Sequence, residues 1–238
     1  MSTAPPPQPL RQVVPLPSLG ETVRIEKGQL HLLLEHARGG YLLVSHDGTH
    51  SRRFRLGLPA DGTLELRVRP PDYRVLVQVR EVLCLAPRAR LRGYVTVPIQ
   101  HRLVWVSPNG AVEALVDLPS PELNTSWLGE GHDGGYAHAA PSPFFADRRG
   151  PELQQRSLVP VSVVNATDTV VRPAHLGITL RDRDLVPLAG RLMAAPRRIV
   201  FTSQDRQTES VRPLPRNGQA TPVPSRAVPA HLVEEFRL

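Results

Sequence analysis

Two histidines and two carboxylates lie close together in a Gly- and Pro-rich segment, residues 119–151. Imidazole nitrogens and carboxylate oxygens bind divalent metal ions, so this group is a candidate metal site. The two histidines are six residues apart, which matches neither the His-x-His spacing of a metal site on a strand nor the i, i+4 spacing of a site on a helix. A polar loop that holds structural aromatic residues is the alternative, and the spacing favours it. The candidate ligands are Glu130, His132, Asp133 and His138.

Arginine supplies a second kind of chemistry. The chain has 29 Lys and Arg residues against 22 Asp and Glu, a formal net charge of +7, and Lys27 is its only lysine. The guanidinium group binds phosphate through two hydrogen bonds. An arginine-bearing strand face is therefore either an anion-binding surface or the ordinary solvated face of a sheet, and the second interpretation is favoured. The candidate anion-binding residues are Arg67, Arg69, Arg74, Arg80, Arg88, Arg90 and Arg92.

Cys84 is the only cysteine, which excludes an intrachain disulfide and a cysteine-based zinc site. It lies in an apolar run, Val82–Leu85, so we expect a buried small hydrophobic residue rather than a nucleophile. The sequence contains no phosphate-binding loop, dinucleotide-binding glycine motif, nucleophile elbow or His-Glu-x-x-His motif. We therefore expect no catalytic residues, no cofactor and no enzymatic activity.

The elements that must position these side chains are short strands. Apolar and charged residues alternate with a period of two, which is typical of an antiparallel sheet with one face in water. About a dozen such strands, spaced about 8–12 residues apart and separated by turns, predict an all-β fold. We expect two antiparallel β-sandwich-like domains. The clearest alternating apolar positions are Leu64, Leu66, Val68, Tyr73, Val75, Val77 and Val79.

Composition predicts how the chain is organised. The alternative to two domains is one continuous β unit that combines residues 20–118 and 152–203. The tail is expected to end in a short helix over Pro229–Leu238, whose face of Leu232, Val233 and Phe236 either docks to a partner or folds back on its own domain. The predicted segments are a Pro-rich arm (1–19), an N-terminal β domain (20–118), a connecting loop (119–151), a C-terminal β domain (152–203) and a Pro-rich tail (204–238).

Several strand and turn sequences resemble those of a known family. They are Leu158–Ala166, Leu176–Leu180 leading to Leu185–Leu188, and the upstream Trp127–Glu130, Gly134–Tyr136 and Pro70-Pro71. They are similar to DUF432, an uncharacterised family of archaea and some bacteria, over most of residues 20–205. The resemblance implies an all-β protein with no established activity and supplies no catalytic residues. Some members are encoded near small-conductance mechanosensitive channels, which implies a membrane-channel-associated partner.

These observations predict a non-enzymatic β-sandwich protein that acts as a protein–protein interaction or accessory module, with a protein partner or as a homo-oligomer. The alternative is a basic binding protein for nucleic acid or an anionic membrane surface. A third hypothesis is a metal-binding protein or enzyme that uses residues 127–138. The N-terminus has no signal-peptide pattern, and no stretch reaches the roughly 18 apolar residues of a membrane span. We expect a soluble, cytoplasmic protein.

Overall fold

The computed structural model describes residues 10–48, 50–59, 61–128, 135–146, 155–188, 191–212 and 234–237. These residues form strands and one short 3-10 helix, Asp182–Asp184, and none of their helices is long and apolar enough to cross a membrane. The strands are β1 (Arg11–Val14), β2 (Thr22–Lys27), β3 (Leu30–Ala37), β4 (Gly40–His46), β5 (Ser51–Leu56), β6 (Thr63–Arg69), β7 (Arg74–Val79), β8 (Arg90–Pro98), β9 (Gln100–Val106), β10 (Val112–Leu118), β11 (Asn124–Leu128), β12 (Gly135–Ser142), β13 (Arg156–Asn165), β14 (Leu176–Ile178), β15 (Leu185–Leu188), β16 (Arg191–Ala194), β17 (Arg197–Phe201), β18 (Arg206–Val211) and β19 (Glu234–Arg237).

The first sandwich consists of two four-stranded antiparallel sheets, ordered β1-β6-β9-β10 and β2-β3-β4-β5. Both sheets contribute to one cluster of buried hydrophobic residues. In β3, Leu30, Leu32 and Leu34 are buried at alternate positions, because successive side chains of a strand point to opposite faces. Trp105 of β9 fills the same cluster from the facing sheet.

The second sandwich consists of a four-stranded sheet, β11-β12-β7-β14, and a seven-stranded sheet, β15-β16-β13-β17-β18-β19 with β8 paired to β13. Val159, Val161 and Val163 of β13 pack in one buried cluster with Val75 and Val77 of β7. The predicted all-β class is confirmed. Three pairs, β12–β7, β13–β16 and β13–β17, are parallel, because the chain passes through other strands before it returns beside its partner.

The two buried clusters do not follow chain order. β7 and β8 contribute to the cluster of the second sandwich, although β9 and β10, which follow them, contribute to the first. The connecting segment 119–151 itself supplies β11 and β12. The domain boundaries 20–118 and 152–203 stay a prediction.

The terminal segments contribute strands that their composition does not predict. β1 lies in the predicted arm and pairs with β6, and β18 lies in the predicted tail and pairs with β17. The expected C-terminal helix is wrong for Glu234–Arg237, which pair with β18 as the strand β19. The backbone groups along the outer edge of β18 are satisfied by this pairing, which a helix could not supply. Residues 229–233 and Leu238 lie outside the described residues.

We expect Gly62→Ala to lower the free energy of unfolding by about 1–3 kcal/mol. Gly62 has φ +152°, and an added Cβ would overlap the indole of Trp105, which is 2% exposed. Urea denaturation followed by tryptophan fluorescence measures the loss. Gly110→Ala is the matched control, since Gly110 has φ +82° but no atom within 4 Å of the added Cβ. Equal losses in the two variants would contradict the indole contact as the cause.

We also expect the protein to lose stability between about pH 6.5 and pH 4 through His101. Burial, assisted by the charge of Lys27, lowers the pKa of His101 in β9 from 6.5 to about 4. Below pH 6.5 the unfolded chain therefore binds a proton that the folded chain does not. This difference lowers the free energy of unfolding by about 3 kcal/mol across the whole window. His101→Gln removes this part of the pH dependence, measured as the free energy of unfolding in urea at pH 7 and pH 4.5. An unchanged pH dependence would show that His101 is not responsible.

Candidate functional site

The outer face of the seven-stranded sheet carries arginine and serine in alternation across four strands. Arg92 of β8 is opposite Ser162 of β13, Ser162 is opposite Arg198 of β17, and Arg198 is opposite Ser210 of β18. Directly opposed residues place their side chains on the same face, about 4.8 Å from strand to strand. We call Arg92, Ser162, Arg198 and Ser210 the Arg–Ser row. Within the row, Arg92 and Arg198 place one guanidinium group on each side of the Ser162 hydroxyl.

Arg90 adds a third guanidinium group to this row. It lies two residues before Arg92 on β8, and its Nε donates a hydrogen bond of 2.6 Å to the Oγ of Ser162. Lost hydration and the charges of Arg92 and Arg198 lower the pKa of Arg90. All three arginines are exposed, and none forms an ion pair with a carboxylate of the described residues. Their positive charge is therefore uncompensated within the described part of the chain.

A depression of about 270 Å³ adjoins the Arg–Ser row. Tyr94 exchanges two backbone hydrogen bonds of 2.8 Å with Phe145, so Phe145 lies beside β8 and the next residue, Ala146, borders the depression. Its lining combines a cationic side chain, that of Arg92, with apolar groups. Its lining includes Arg92, Tyr94, Ala146, Pro160, Ser162 and Pro196.

The position of Arg198 depends on its neighbour Arg197. Arg197 is 1% exposed and points to the opposite side of β17, where its Nη2 donates to Asp184 Oδ2 at 2.7 Å and its Nε is 3.3 Å from Glu209 Oε1. Burial raises the pKa of Glu209, and the charge of Arg197 opposes that rise. Glu209 also accepts the backbone N–H of Thr179 at 3.0 Å. Because side chains alternate along a strand, the inward position of Arg197 sends Arg198 outward.

The seven arginines predicted to bind anions do not share one face. β6 belongs to the first sandwich, and β7 and β8 belong to different sheets of the second. Arg90 and Arg92 reach the Arg–Ser row, whereas Arg80 is exposed beyond the end of β7. Arg74 is buried and its Nη2 donates to the carbonyl of Gly177 at 3.4 Å, so its predicted place on the solvated face is wrong.

Three further predicted arginines have carboxylate partners. Arg67 is 2.8 Å from Glu65, and Arg88 is 2.8 Å from Asp168. Arg69 is 3.2 Å from Asp72 and 3.5 Å from Asp117. These pairs reduce the positive potential that Arg67, Arg69 and Arg88 present to a ligand. Anion binding by any of the seven stays a prediction.

Of the predicted metal ligands, the structure describes His138. It is buried on β12, its Nδ1 is 2.8 Å from the hydroxyl of Thr125, and burial lowers its pKa. Glu130, His132 and Asp133 lie outside the described residues. Within the described ranges no three His, Cys, Asp or Glu side chains gather as metal ligands. The metal site stays a prediction.

An exposed aromatic pair lies above His138. The ring of Tyr73 is 5.3 Å from His138 and 5.5 Å from Tyr136, and the two tyrosines are 44% and 55% exposed. The expectation that Tyr73 shares the buried face of Val75 is wrong, because Tyr73 precedes β7 and its ring lies on the surface.

In the predicted docking face, Leu232 and Val233 lie outside the described residues, and only the backbone of Phe236 is described.

Sequence reasoning missed Ser162, Arg198 and Ser210. The signal was present in the alternation of Leu158–Val164 and Arg197–Phe201, where Ser162 and Arg198 occupy outward positions. That pattern assigns a residue to one face of its own strand. It does not say that β8, β13 and β17 are neighbours, which is what creates the site.

Comparison with known proteins gives one finding. A family model described as "Protein of unknown function (DUF432)" matches residues 16–230 of the 238-residue chain. Comparisons with curated proteins and with solved structures gave no match.

We expect Cys84 to react with a thiol reagent in the folded protein. The structure shows its side chain exposed, which corrects the predicted buried position: Leu83 and Leu85 point inward, and Cys84 between them points outward. One equivalent of thiol is expected to react with 5,5′-dithiobis(2-nitrobenzoic acid) without denaturant, measured by absorbance, and none in Cys84→Ser. Reaction that begins only when the protein is unfolded in urea would contradict the exposed position.

Proposed function

Since the chain belongs to DUF432, a family of proteins of unknown function, we propose a function from the chemistry of its own surface. The protein is a non-enzymatic β-sandwich binding module, and its partner is a polyanion, either a nucleic acid or an anionic membrane surface. The observation that carries this proposal is the cluster of Arg90, Arg92 and Arg198 around Ser162 without a carboxylate partner among the described residues. This cluster, with the Arg–Ser row, is the binding surface.

The chemistry of the cluster supports an oxyanion as its ligand. Like charges on neighbouring positions of a sheet repel each other and destabilise it. A bound phosphate relieves that repulsion, since each guanidinium group donates two parallel hydrogen bonds to its oxygens. Ser162 and Ser210 add neutral hydroxyl donors between and beside the arginines. The same donors suit the phosphodiester of a nucleic acid and the headgroup of an acidic lipid.

A protein partner is a second candidate, and a different surface favours it. Tyr73 and Tyr136 form an exposed aromatic pair next to β11, the edge strand of its sheet. Tyrosine is enriched in protein–protein interfaces, and an edge strand offers backbone hydrogen bonds to an added strand. An accessory role beside a membrane-channel-associated protein belongs to this second candidate.

We expect Arg92→Ala/Arg198→Ala to weaken polyanion binding at least about tenfold at about 50 mM salt, because two phosphate contacts are lost. The log–log slope of affinity against salt should fall in magnitude by about 2. Fluorescence anisotropy with a labelled oligonucleotide and co-sedimentation with phosphatidylserine vesicles measure the two kinds of partner.

Arg67→Ala/Arg88→Ala is the matched control for this prediction. It removes the same net charge, but from arginines that already have carboxylate partners. Its affinity should stay within about twofold of the unaltered protein. An equal loss in both double variants would show that net charge, and not the Arg–Ser row, is responsible. Absence of binding by the unaltered protein to both probes would remove the proposed function.

A further inference from the structure

The depression beside the Arg–Ser row narrows the choice of polyanion. Resting on the proposed function, we propose that the partner is a single-stranded nucleic acid, with one base held in this depression and its phosphates on Arg90, Arg92 and Arg198. Arg92 and Ser162 line the depression and also belong to the row. A ligand whose phosphate is held by the row therefore has its next chemical group at the mouth of the depression.

The size of the depression suits one base. Its volume of about 270 Å³ lies just below the range of about 300–1,000 Å³ that is usual for pockets holding drug-sized molecules. A duplex keeps its bases stacked inside and cannot offer one to a surface depression without unpairing it. A phosphatidylserine headgroup has no planar ring to pack against the apolar part of the lining. A strand with unpaired bases supplies both groups that the surface accommodates.

The apolar part of the lining suits the face of a ring. Tyr94 of β8 and Pro160 of β13 are opposite one another, and both are half-buried, as is Pro196. Base stacking on an aromatic side chain is tolerant of sequence, because every base has a π face. Tyr94 comes two residues after Arg92 on β8, so the two side chains lie on the same face of the strand. This pairs one stacking platform with one phosphate contact, as in proteins that bind single strands without sequence preference.

The spacing of the charges suits more than one phosphate. Arg90 and Arg92 are two residues apart along β8, about 7 Å, and Arg92 and Arg198 are two strands apart, about 10 Å. Arginines at these backbone separations can contact neighbouring phosphates of an extended strand. The arrangement therefore accommodates a segment of a chain rather than an isolated anion.

The test compares four probes on the full chain: labelled oligothymidylate, an abasic oligonucleotide of the same length, duplex DNA and phosphatidylserine vesicles. Oligothymidylate should bind at least about fivefold more tightly than the abasic strand, since base stacking contributes about 1–3 kcal/mol per base. Tyr94→Ala should remove that difference and leave the salt slope unchanged, and Tyr94→Phe should keep it. Tyr73→Ala, at an exposed tyrosine of another sheet, is the control and should behave as the unaltered protein.

Each outcome separates this inference from the proposed function. If the abasic strand and the duplex bind as tightly as oligothymidylate, and Arg92→Ala/Arg198→Ala weakens all of them, the single-strand inference is overturned and polyanion binding stands. Binding to vesicles alone would make the partner a membrane and also overturn the inference. No binding to any probe overturns both. If Tyr94→Ala does not fold, as judged by circular dichroism, Tyr94→Leu and the abasic comparison decide.

Discussion

The buried guanidinium of Arg197 is the interaction on which the outer face of the large sheet depends. It lies between the carboxylates of Asp184 and Glu209, and its side chain has no exposed surface. Removing one partner of such a buried pair usually costs about 3–5 kcal/mol, because the remaining charge is left uncompensated. A slip of one residue in β17 would bury Arg198 and expose Arg197. The ion pairs therefore hold the register that keeps Arg198 beside Ser162.

The register of the central strand β13 is also held from the core, by apolar residues and one buried amide side chain. Val159, Val161 and Val163 point into the core, so Ser162 points outward. At the end of the strand the side chain of Asn165, which has no exposed surface, donates to the carbonyls of Leu85, Ala86 and Thr169. Its backbone N–H donates to the carbonyl of Ala89 at 2.9 Å. These bonds anchor the chain just before Arg90, so the core and the Arg–Ser row share one set of supports.

The positive charge of the protein has different consequences at different places. The net charge of +7 is spread over the whole chain, and much of it is matched locally. Arg102, for example, donates to both carboxylate oxygens of Asp117, which lowers the pKa of that carboxyl group and raises the pKa of the arginine. At the Arg–Ser row no carboxylate among the described residues plays this part. Polyanion binding is therefore proposed for the Arg–Ser row because its arginines have no carboxylate partners among the described residues. The net charge of the chain alone would not indicate where such a surface lies.

Local patterns in the sequence were enough for the all-β class and for the inward valines of β7. They were not enough for Tyr73, which precedes β7 and lies on the surface, or for Arg74, because the first four residues of β7 are buried on both faces. They also failed for Cys84, because the apolar run around it predicts burial although the alternation of Leu83 and Leu85 turns it outward. Arg198 lies on a strand whose alternation the sequence shows, and so do two other members of the Arg–Ser row, Arg92 and Ser162. Their contact with Arg198, and the depression beside Tyr94, exist because β8, β13 and β17 pair across long separations in the chain. Alternation is a property of one strand, whereas strand pairing depends on the packing of the whole core, so only the tertiary structure decided which arginines meet.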